Sequence, residues 1–377
     1  MSVGGFEDTV FSDPIHWTIG PFHPILPSPF KLSAQLDGEI VSSAVVHSGF
    51  SNRGVLEVLR RQTWGKAIAV LGRVDPSSSV FSEWAYCLAV EKALGLELHP
   101  RTLGIRVVMA EVTRISAHLY QLSRIAQQAG SEVAFHFMLR EREQFLDLME
   151  LVSGSRQSPT FLRIGGVRDD VSEGFLERLQ EVCHRLLERV TEYNDLLTYN
   201  EAFVRRISGK GVISSQLVRR HGITGIPLKA IHTNQDLRWL GQAPGYELVQ
   251  HQESSRVPPV GVEGDLHHRF VFCLQEMTQS ARLLQELAQH LPAGPYRIEG
   301  AFDRVPPGNF SAVVEAPRGR LRVEVTSDGG DRPISLSWQS PSVALLQALP
   351  EYLRGASIED LGLWLMSLDL QIGEVEL

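Results

Sequence analysis

Four long segments with helical periodicity constrain this chain more than any other feature of its sequence. Apolar residues recur at intervals of three and four along each segment, which is the spacing of one buried stripe on an amphipathic helix. The predicted helices span 102–128, 133–153, 171–199 and 265–291. Within the second, the residues expected to face inward are Phe137, Phe145, Leu148 and Val152. Helices of such length pack most readily as a bundle.

Shorter elements flank this bundle. Prolines are frequent in 13–30, so this segment is expected to be extended and not helical. Strands are predicted at 31–36 and 39–46, joined by a turn at Asp37-Gly38, and again between 312 and 338. Further helical patterns cover 55–63, 80–94 and 342–366.

The pattern predicts an α+β fold that is mainly α, a long-helix bundle with small β elements near both ends. Three segments are expected: 1–54 as an extended segment and hairpin, 55–300 as the helical core, and 301–377 packing on that core. Between the third and fourth long helices, 207–263 is rich in Gly and Pro, and we expect a functional loop or interaction surface there.

Composition excludes several classes of function. A formal charge of −8 argues against nucleic acid as a partner, because phosphate binding needs a basic face. The three cysteines, Cys87, Cys183 and Cys273, have no CxxC spacing, so a cysteine-ligated metal site within this chain is not expected. No apolar stretch approaches the roughly 20 residues of a membrane span, and no signal peptide is visible. We expect a cytoplasmic protein that reaches a membrane only through partners.

Motif searches for self-contained chemistry are negative. The sequence has no dinucleotide-binding GxGxxG after a strand, no phosphate-binding loop and no GxSxG elbow. His267 and His268 are adjacent in a predicted helix, so their rings are expected to diverge by about 100° and not to share a metal. Residue chemistry alone therefore predicts only a mainly helical cytoplasmic protein.

An ordered set of short stretches nevertheless resembles the D subunit of complex I (NADH-quinone oxidoreductase) and the large subunit of the membrane-bound NiFe hydrogenases. The stretches run nearly from end to end: GPFHP (20–24), LDGEI (36–40), AYCLAVEK (85–92), RISAHL (114–119), GGVR (165–168), GVIS (211–214), EAPRG (315–319), SDG (327–329), LQALP (346–350), SLD (367–369) and GEV (373–375). This resemblance implies a protein that binds a small subunit holding a terminal iron–sulfur cluster, on an ion-translocating membrane arm. Between the two subunits lies a cavity that holds nickel and iron in hydrogenases and admits quinone in complex I.

The positions that hold metal in the hydrogenases are changed in this chain. The two cysteine pairs correspond to Asp75 and Ser78, after Arg73, and to Gln371 and Glu374 near the C-terminus. Nickel needs soft thiolate ligands, so NiFe hydrogenase activity is only a remote alternative.

The quinone-holding positions of complex I are changed as well. The histidine, its supporting aspartate and the tyrosine fall on Pro27, Gln128 and Pro76. Neither proline side chain can donate a hydrogen bond to a quinone carbonyl. The histidine beside the partner's cluster becomes Ser158, and the hydrogenase proton-exit glutamate becomes Ser28.

Two arginines beside the partner's cluster are kept, as Arg53 and Arg73, and they could tune its potential or make ordinary ion pairs. Asp75 and Glu374 introduce carboxylates at cysteine positions. If they face one another, their pKa values are expected to be perturbed; the alternative is polar filling of an inactive cavity.

Two main functions follow from the resemblance. The first is the large subunit of a membrane-associated NADH-quinone oxidoreductase-like complex, peripheral to the cytoplasmic side of the membrane, with a remodelled cavity for quinone or another acceptor. The second is a non-catalytic subunit that couples the iron–sulfur subunit to the membrane arm. In both, this chain binds no cofactor itself.

Overall fold

The computed structural model describes residues 15–231, 235–249, 264–300 and 302–377. Its helices are α1 (Val55–Arg60), α2 (Trp64–Leu71), α3 (Ser79–Leu94), α4 (Pro100–Gln128), α5 (Glu132–Ser153), α6 (Glu173–Tyr193), α7 (Glu201–Ile207), α8 (Ser215–His221), α9 (Ile226–Lys229), α10 (Leu266–His290), α11 (Pro341–Tyr352) and α12 (Leu361–Ser367). Its strands are β1 (Ile15–Ile19), β2 (Lys31–Asp37), β3 (Ile40–His47), β4 (Leu162–Arg163), β5 (Gly166–Val167), β6 (Gly308–Ala316), β7 (Gly319–Ser327) and β8 (Ser335–Gln339).

Helix α4 is the centre of the bundle. It packs against α5, α10 and α12, while α6 packs against α5 and α10. Its start is fixed by the His99 side chain, which accepts a hydrogen bond from the Arg101 backbone N–H at 3.1 Å, and by Pro100 in the first turn. Gly130, at φ +89°, ends it in a left-handed conformation that glycine adopts without cost. The four predicted long helices and the mainly α, α+β fold are confirmed.

Small antiparallel sheets lie at both ends of the chain. In the first, β1 pairs with β2 and β2 with β3, the turn falling at Gly38-Glu39, one residue later than predicted. In the second, β6, β7 and β8 form a meander against which α3 packs. The sequence predicts only extended chain where β1 forms, because the prolines around this strand hide its pairing.

The apolar core divides into two clusters. The larger joins the long helices to β6–β8, and the smaller joins β2 and β3 to α8, α11 and α12. The N-terminal sheet therefore shares its core with the C-terminal helices. This arrangement brings the segment around Ser28 against the segment that follows α12, where the sequence places Gln371 and Glu374.

Several local predictions were wrong. The helix expected over 342–366 is two helices, α11 and α12, separated by Gly355 at φ +85°. The helix expected over 171–199 ends as α-helix at Tyr193 and continues as a π-helical turn to Thr198. Phe137 points outward and is 38% exposed, because the buried face of α5 runs through Ala134, Met138, Glu141 and Phe145 instead. The Arg140 guanidinium lies over the Phe137 ring at 4.9 Å.

Candidate functional site

The four positions that correspond to metal-binding cysteines lie on two loops. Asp75 and Ser78 occupy the connection from α2 to α3, and Gln371 and Glu374 follow α12. A third loop, the tight turn between β6 and β7, carries Arg318 between them. Gly225 makes this placement possible, because a Cβ there would lie 2.0 Å from the Arg318 carbonyl oxygen.

Arg318 and Asp75 form a buried ion pair at the centre of the site. Arg318 Nη1 donates to Asp75 Oδ2, and Arg318 Nη2 donates to Ser77 Oγ at 2.7 Å. On its other side, Arg318 Nε lies 2.9 Å from Asp369 Oδ2. The hydroxyls of Ser77 and Ser78 also donate to the Asp75 carboxylate. The first pair of cysteine positions is thus occupied by an anion whose oxygens are fully engaged.

Hydrogen bonds connect the second pair to the same centre. Gln371 Nε2 approaches Asp75 Oδ1 at 3.4 Å, and Ser28 Oγ donates to Gln371 Oε1 at 3.0 Å. Ser342 Oγ donates to Glu374 Oε1 at 2.5 Å and accepts from the Gln371 backbone N–H at 3.2 Å. All four cysteine-equivalent positions therefore belong to one polar network.

The electrostatics of the three carboxylates differ. Burial by itself would raise the pKa of Asp75, but Arg318 and the two serine hydroxyls outweigh it and lower that pKa. Burial raises the pKa of Asp369 in spite of Arg318. Burial, together with the negative charge of Asp75, raises the pKa of Glu374 to about 7. Glu374 is therefore the group here that can hold or release a proton near neutral pH.

The shift at Glu374 predicts a pH-dependent stability. The folded chain holds this proton up to about pH 7, whereas the ordinary pKa is 4.5, so the folded state binds more protons than the unfolded state between these values. The stability that Glu374 contributes is fully present below its ordinary pKa of 4.5 and is lost as the pH rises to its folded-state pKa of about 7. The free energy lost over this range is on the order of 3 kcal/mol. Glu374→Gln is expected to remove this part of the pH dependence in urea unfolding at several pH values.

Glu83 provides the matched control, because burial also raises its pKa to about 7 at a separate place, where it accepts from the Phe161 and Leu162 backbone N–H groups. Glu83→Gln should remove the pH dependence of stability that Glu83 contributes and leave the contribution of Glu374 unchanged. An unchanged pH profile in Glu374→Gln would contradict the prediction.

A cleft of about 310 Å³ opens beside this network. Its lining includes Ser28, Pro76 and Gln371, with Arg53 at the rim. Arg53 donates to the carbonyls of Arg73 at 2.9 Å, Val74 at 3.0 Å and Gly373 at 2.9 Å. Within the described ranges, no carboxylate pairs with Arg53 or Arg73, and both side chains are exposed. Arg53 lines the cleft, whereas the Arg73 guanidinium donates to the Ala69 carbonyl at 2.5 Å and is not part of the lining.

The site does not fit a nickel–iron centre. Two of the four ligand positions hold a carboxylate and a hydroxyl already bound to Arg318, and none of the four is a thiol. Cys87, Cys183 and Cys273 are all free and buried in the main apolar cluster, where the Cys273 thiol also donates to Gln121 at 3.7 Å. Soft-metal chemistry has no ligand set here.

The quinone-holding positions of complex I do not all line the cleft. Pro76 lines it and Pro27 precedes the lining residue Ser28. Gln128, at the end of α4, is not in the lining; its side chain lies against Gly362, as does that of Ile25. Ser158 also lies away from the cleft lining, in the connection after α5, at φ +51°.

At the start of α10, the expectation that the positions of His267 and His268 exclude a shared metal was wrong. The rings are inclined by 72°, and Asp265 caps the helix and lies 2.5 Å from His268 Nδ1. One ligand atom each of Asp265, His267 and His268 then lies within 4.8 Å of the others. Both histidines are half-buried and not fully solvent-facing.

Residue reasoning missed Arg318, Asp369 and the hydroxyls of Ser77 and Ser342, which complete the site. Arg318 and Asp369 lie in the stretches EAPRG and SLD, so the resemblance to the family could have identified them. Their spacing in the sequence does not indicate which residues they contact. The segment 207–263, predicted to be a functional loop or an interaction surface, also supplies Lys229, Asp236 and Arg238 to the interior, each at most 5% exposed. Its residues 232–234 and 250–263 lie outside the described ranges.

Known proteins match this chain along nearly its whole length. The family model described as respiratory-chain NADH dehydrogenase, 49 Kd subunit, matches residues 128–303 and 299–376. The D subunit of the NADH-quinone oxidoreductase of Desulforamulus reducens is 34% identical over 369 residues, covering 98% of this chain and all of the relative. One of the D subunits of Solibacter usitatus NADH-quinone oxidoreductase, numbered 2, is 32% identical over 374 residues, covering 98% and 99%.

A solved structure shares the fold closely. A chain of the membrane-bound sulfane sulfur reductase, an archaeal respiratory membrane complex, superposes with a TM-score of 0.89 at 27% identity, covering 98% of this chain and all of that one. No helix in the described ranges is both long and apolar enough to cross a membrane. The matches in sequence and fold together place this chain in the family of the 49 kDa subunit of respiratory-chain NADH dehydrogenase, which is the D subunit of complex I.

Proposed function

We propose that this chain is the large subunit of a respiratory membrane oxidoreductase in which the cleft beside Gln371 receives an electron acceptor. A small partner subunit with an iron–sulfur cluster would cover the cleft, and a membrane arm would lie beyond it, on the cytoplasmic side of the membrane. The observation that carries this proposal is a cleft lined by Gln371 and by Arg53, whose exposed side chain has no carboxylate partner among the described residues.

The arginines support a redox partner at this face. Arg53 is fixed by three backbone carbonyls, so its charge is held in one position and is not neutralised by the described chain. A fixed cation near an iron–sulfur cluster stabilises the reduced form and raises its potential. Arg53 and Arg73 are therefore the residues we assign to the cluster side of the cleft.

The groups that would bind the electron acceptor in the cleft differ from those that hold quinone in complex I. The amide of Gln371 makes one long contact, to Asp75 at 3.4 Å, and can donate into the cleft. Glu374 stands behind it as a proton source near neutral pH, linked through Ser342. A quinone could accept from Gln371 even though Pro27 and Pro76 offer no donor.

Sulfane sulfur is the second acceptor class that a specific observation favours. The solved chain with a TM-score of 0.89 belongs to a sulfane sulfur reductase, so the same fold serves that chemistry in a respiratory complex. The remaining alternative is a non-catalytic coupling subunit, which the full engagement of Asp75 by Arg318, Ser77 and Ser78 favours.

Assay of the purified native complex distinguishes these functions. NADH or reduced ferredoxin is supplied as donor, and either a short-chain quinone or polysulfide as acceptor. Gln371→Leu is expected to lower turnover with the true acceptor about tenfold, the effect of losing one hydrogen bond in the reacting complex.

Gln347→Leu is the matched control, because Gln347 is exposed on α11 away from the cleft, and it should retain full turnover. Unchanged turnover in Gln371→Leu would show that the acceptor does not bind in this cleft. Turnover with neither acceptor in the wild-type complex, while the complex remains assembled, would favour the coupling role.

A further inference from the structure

A second cleft, of about 490 Å³, opens on the surface of the chain and has no part in the proposed function. Its walls come from the start of α2, from the turn between β4 and β5, and from the chain between α10 and β6. None of its described lining residues belongs to the cleft beside Gln371. We call it the basic pocket, because four of its lining side chains are cations: Lys66, Arg163, Arg168 and Arg297.

Two backbone segments approach closely to form one wall of the basic pocket. A Cβ at Gly166 would lie 2.5 Å from Arg297 Cα, and a Cβ at Gly165 would lie 2.7 Å from the Phe302 ring. The Ile298 backbone N–H donates to the Gly165 carbonyl at 2.8 Å. Both glycines belong to the stretch GGVR, so this stretch allows Arg297 and Phe302 to lie beside the β4–β5 turn.

Buried groups fix the β4–β5 turn from the interior of the chain. Arg106 Nη2 donates to the carbonyls of Arg163 at 2.8 Å and Gly166 at 2.9 Å. Glu91 pairs with Arg106 at 2.6 Å, and neither residue is more than 3% exposed. The backbone that carries Arg163 is therefore held in place before any ligand binds, which reduces the entropic cost of binding.

Two of the four cations have acidic neighbours that lie in water. Arg168 Nε lies 2.6 Å from Asp169, and Arg297 Nε lies 3.2 Å from Glu299. The side chains of Asp169 and Glu299 are 57% and 84% exposed, so solvent screens both pairs. Asp303 is the other carboxylate in the lining, and it too is exposed. These acids are therefore too few and too hydrated to neutralise the basic pocket.

Lys66 and Arg163 form no ion pair with a carboxylate in the part of the chain that the structure describes. Arg163 Nη1 donates instead to the carbonyls of Thr160 at 3.0 Å and Leu162 at 2.9 Å. Glu83 acts on Arg163 only by longer-range attraction, and burial raises the pKa of Glu83 to about 7. The two cations thus create a positive potential that favours a bound anion.

The start of α2 adds to this potential. The Thr63 side chain precedes the helix without capping it, and the first turn has no acidic residue. The Trp64 N–H donates to the Asp331 carbonyl at 3.3 Å, and the N–H groups of the first turn carry the partial positive charge of a helix N-terminus. Gly65 and Lys66, in this first turn, both line the basic pocket. Side chains and backbone therefore contribute charge of the same sign.

We propose that the basic pocket is the binding site of a phosphorylated small molecule. Its phosphate groups lie on Lys66 and Arg163, because a guanidinium matches two phosphate oxygens at once and a phosphate carries enough charge for several cations. Its organic part lies against the apolar lining of Ile164, Ile298 and Phe302. A volume of about 490 Å³ exceeds what one inorganic phosphate fills and is in the range of pockets for organic ligands.

Calorimetric titration of the purified chain with ADP tests this site without any electron donor, so its outcome is independent of the proposed function. Wild type is expected to bind one ADP, and to bind it more tightly than inorganic pyrophosphate, which has no organic part. Lys66→Met is expected to weaken ADP binding about tenfold, the loss of one charge-assisted contact. Arg163→Met should weaken it further, whereas Arg163→Lys, which keeps the charge, should retain part of the affinity.

Lys92→Met is the matched control, because Lys92 is exposed on α3 outside the basic pocket and its loss should leave ADP affinity unchanged. Lys66 is exposed as well, so weaker binding in Lys66→Met does not arise from misfolding. Failure of wild type to bind ADP at millimolar concentration would overturn the proposal. Equal affinity of Lys66→Met and Lys92→Met for ADP, or ADP binding no tighter than pyrophosphate, would overturn it as well.

The same titration of the assembled complex separates a small ligand from a protein occupant. The difference in ADP affinity between wild type and Lys66→Met should persist there, whatever nucleotide sites the partner subunits have. Disappearance of this difference on assembly would overturn the proposal and indicate that an acidic segment of a partner subunit occupies the basic pocket.

Discussion

Replacing Arg318 by methionine is expected to destabilise the fold by about 3–5 kcal/mol, as removal of one partner does in buried ion pairs. The substitution leaves Asp75, which is 0% exposed, without its cation and also frees Asp369. Methionine fills much of the volume, so the loss is electrostatic. Urea unfolding of the purified protein, followed by circular dichroism, measures the change.

Two further variants separate this cause from others. Arg322 lies on the neighbouring strand β7; its side chain is 49% exposed and has a single carboxylate at 3.4 Å. Arg322→Met should therefore change the free energy of unfolding by no more than about 0.5 kcal/mol. Adding Asp75→Asn to Arg318→Met should recover part of the loss, because the unpaired charge is then gone. A cost for Arg318→Met as small as that of Arg322→Met would show that the pair is hydrated and not buried.

Replacing Lys229 by methionine is expected to have a comparable or larger effect, again about 3–5 kcal/mol or more. Three carboxylates lie within 3.0 Å of its ammonium group, and each would lose its nearest shared cation. The loss should shrink as pH falls. Without Lys229, the folded-state pKa of Glu276 and Glu315 rises, so the folded variant gains protons and recovers stability in acid.

Lys66→Met is the matched control, since Lys66 is exposed on α2 and its loss should be nearly neutral at every pH. Unfolding of both variants at neutral and acidic pH measures the difference. A penalty for Lys229→Met that does not diminish in acid would mean that the three carboxylates find other partners.

Sequence patterns predicted the long helices because their apolar stripes are local and repeated. Helix α4 illustrates this: its period, its proline start and its glycine end all agree with one helix of 29 residues. Local patterns failed where pairing was distant. Strand β1 forms only because β2 lies beside it, and α11 separates from α12 only where Gly355 turns the chain.

The candidate site shows the same division. Comparison with the family located Asp75, Ser78, Gln371 and Glu374, and the structure brings all four into one network. Their chemistry depends on Arg318, which lies 243 positions from Asp75, and a contact at such separation has no local signature. The burial of Lys229 and Arg238 could not be predicted for a similar reason. A Gly- and Pro-rich segment has no periodic pattern that indicates which charged side chains are buried.

The contacts of the C-terminal residues have a consequence for biosynthesis. Ser28 Oγ accepts from the Ile372 backbone N–H at 3.0 Å, Arg53 holds the Gly373 carbonyl, and Glu376 accepts from the backbone of Gly49 and Ser51. Ser28 and Ile372 are 344 positions apart in the chain, so their contact forms only after most of the described chain has been synthesised. A nascent chain can complete its long helices early, whereas the surface built from Ser28, Arg53 and residues 371–376 forms late in translation. Loss of residues 371–376 would leave this surface incomplete while the helical bundle keeps its own core.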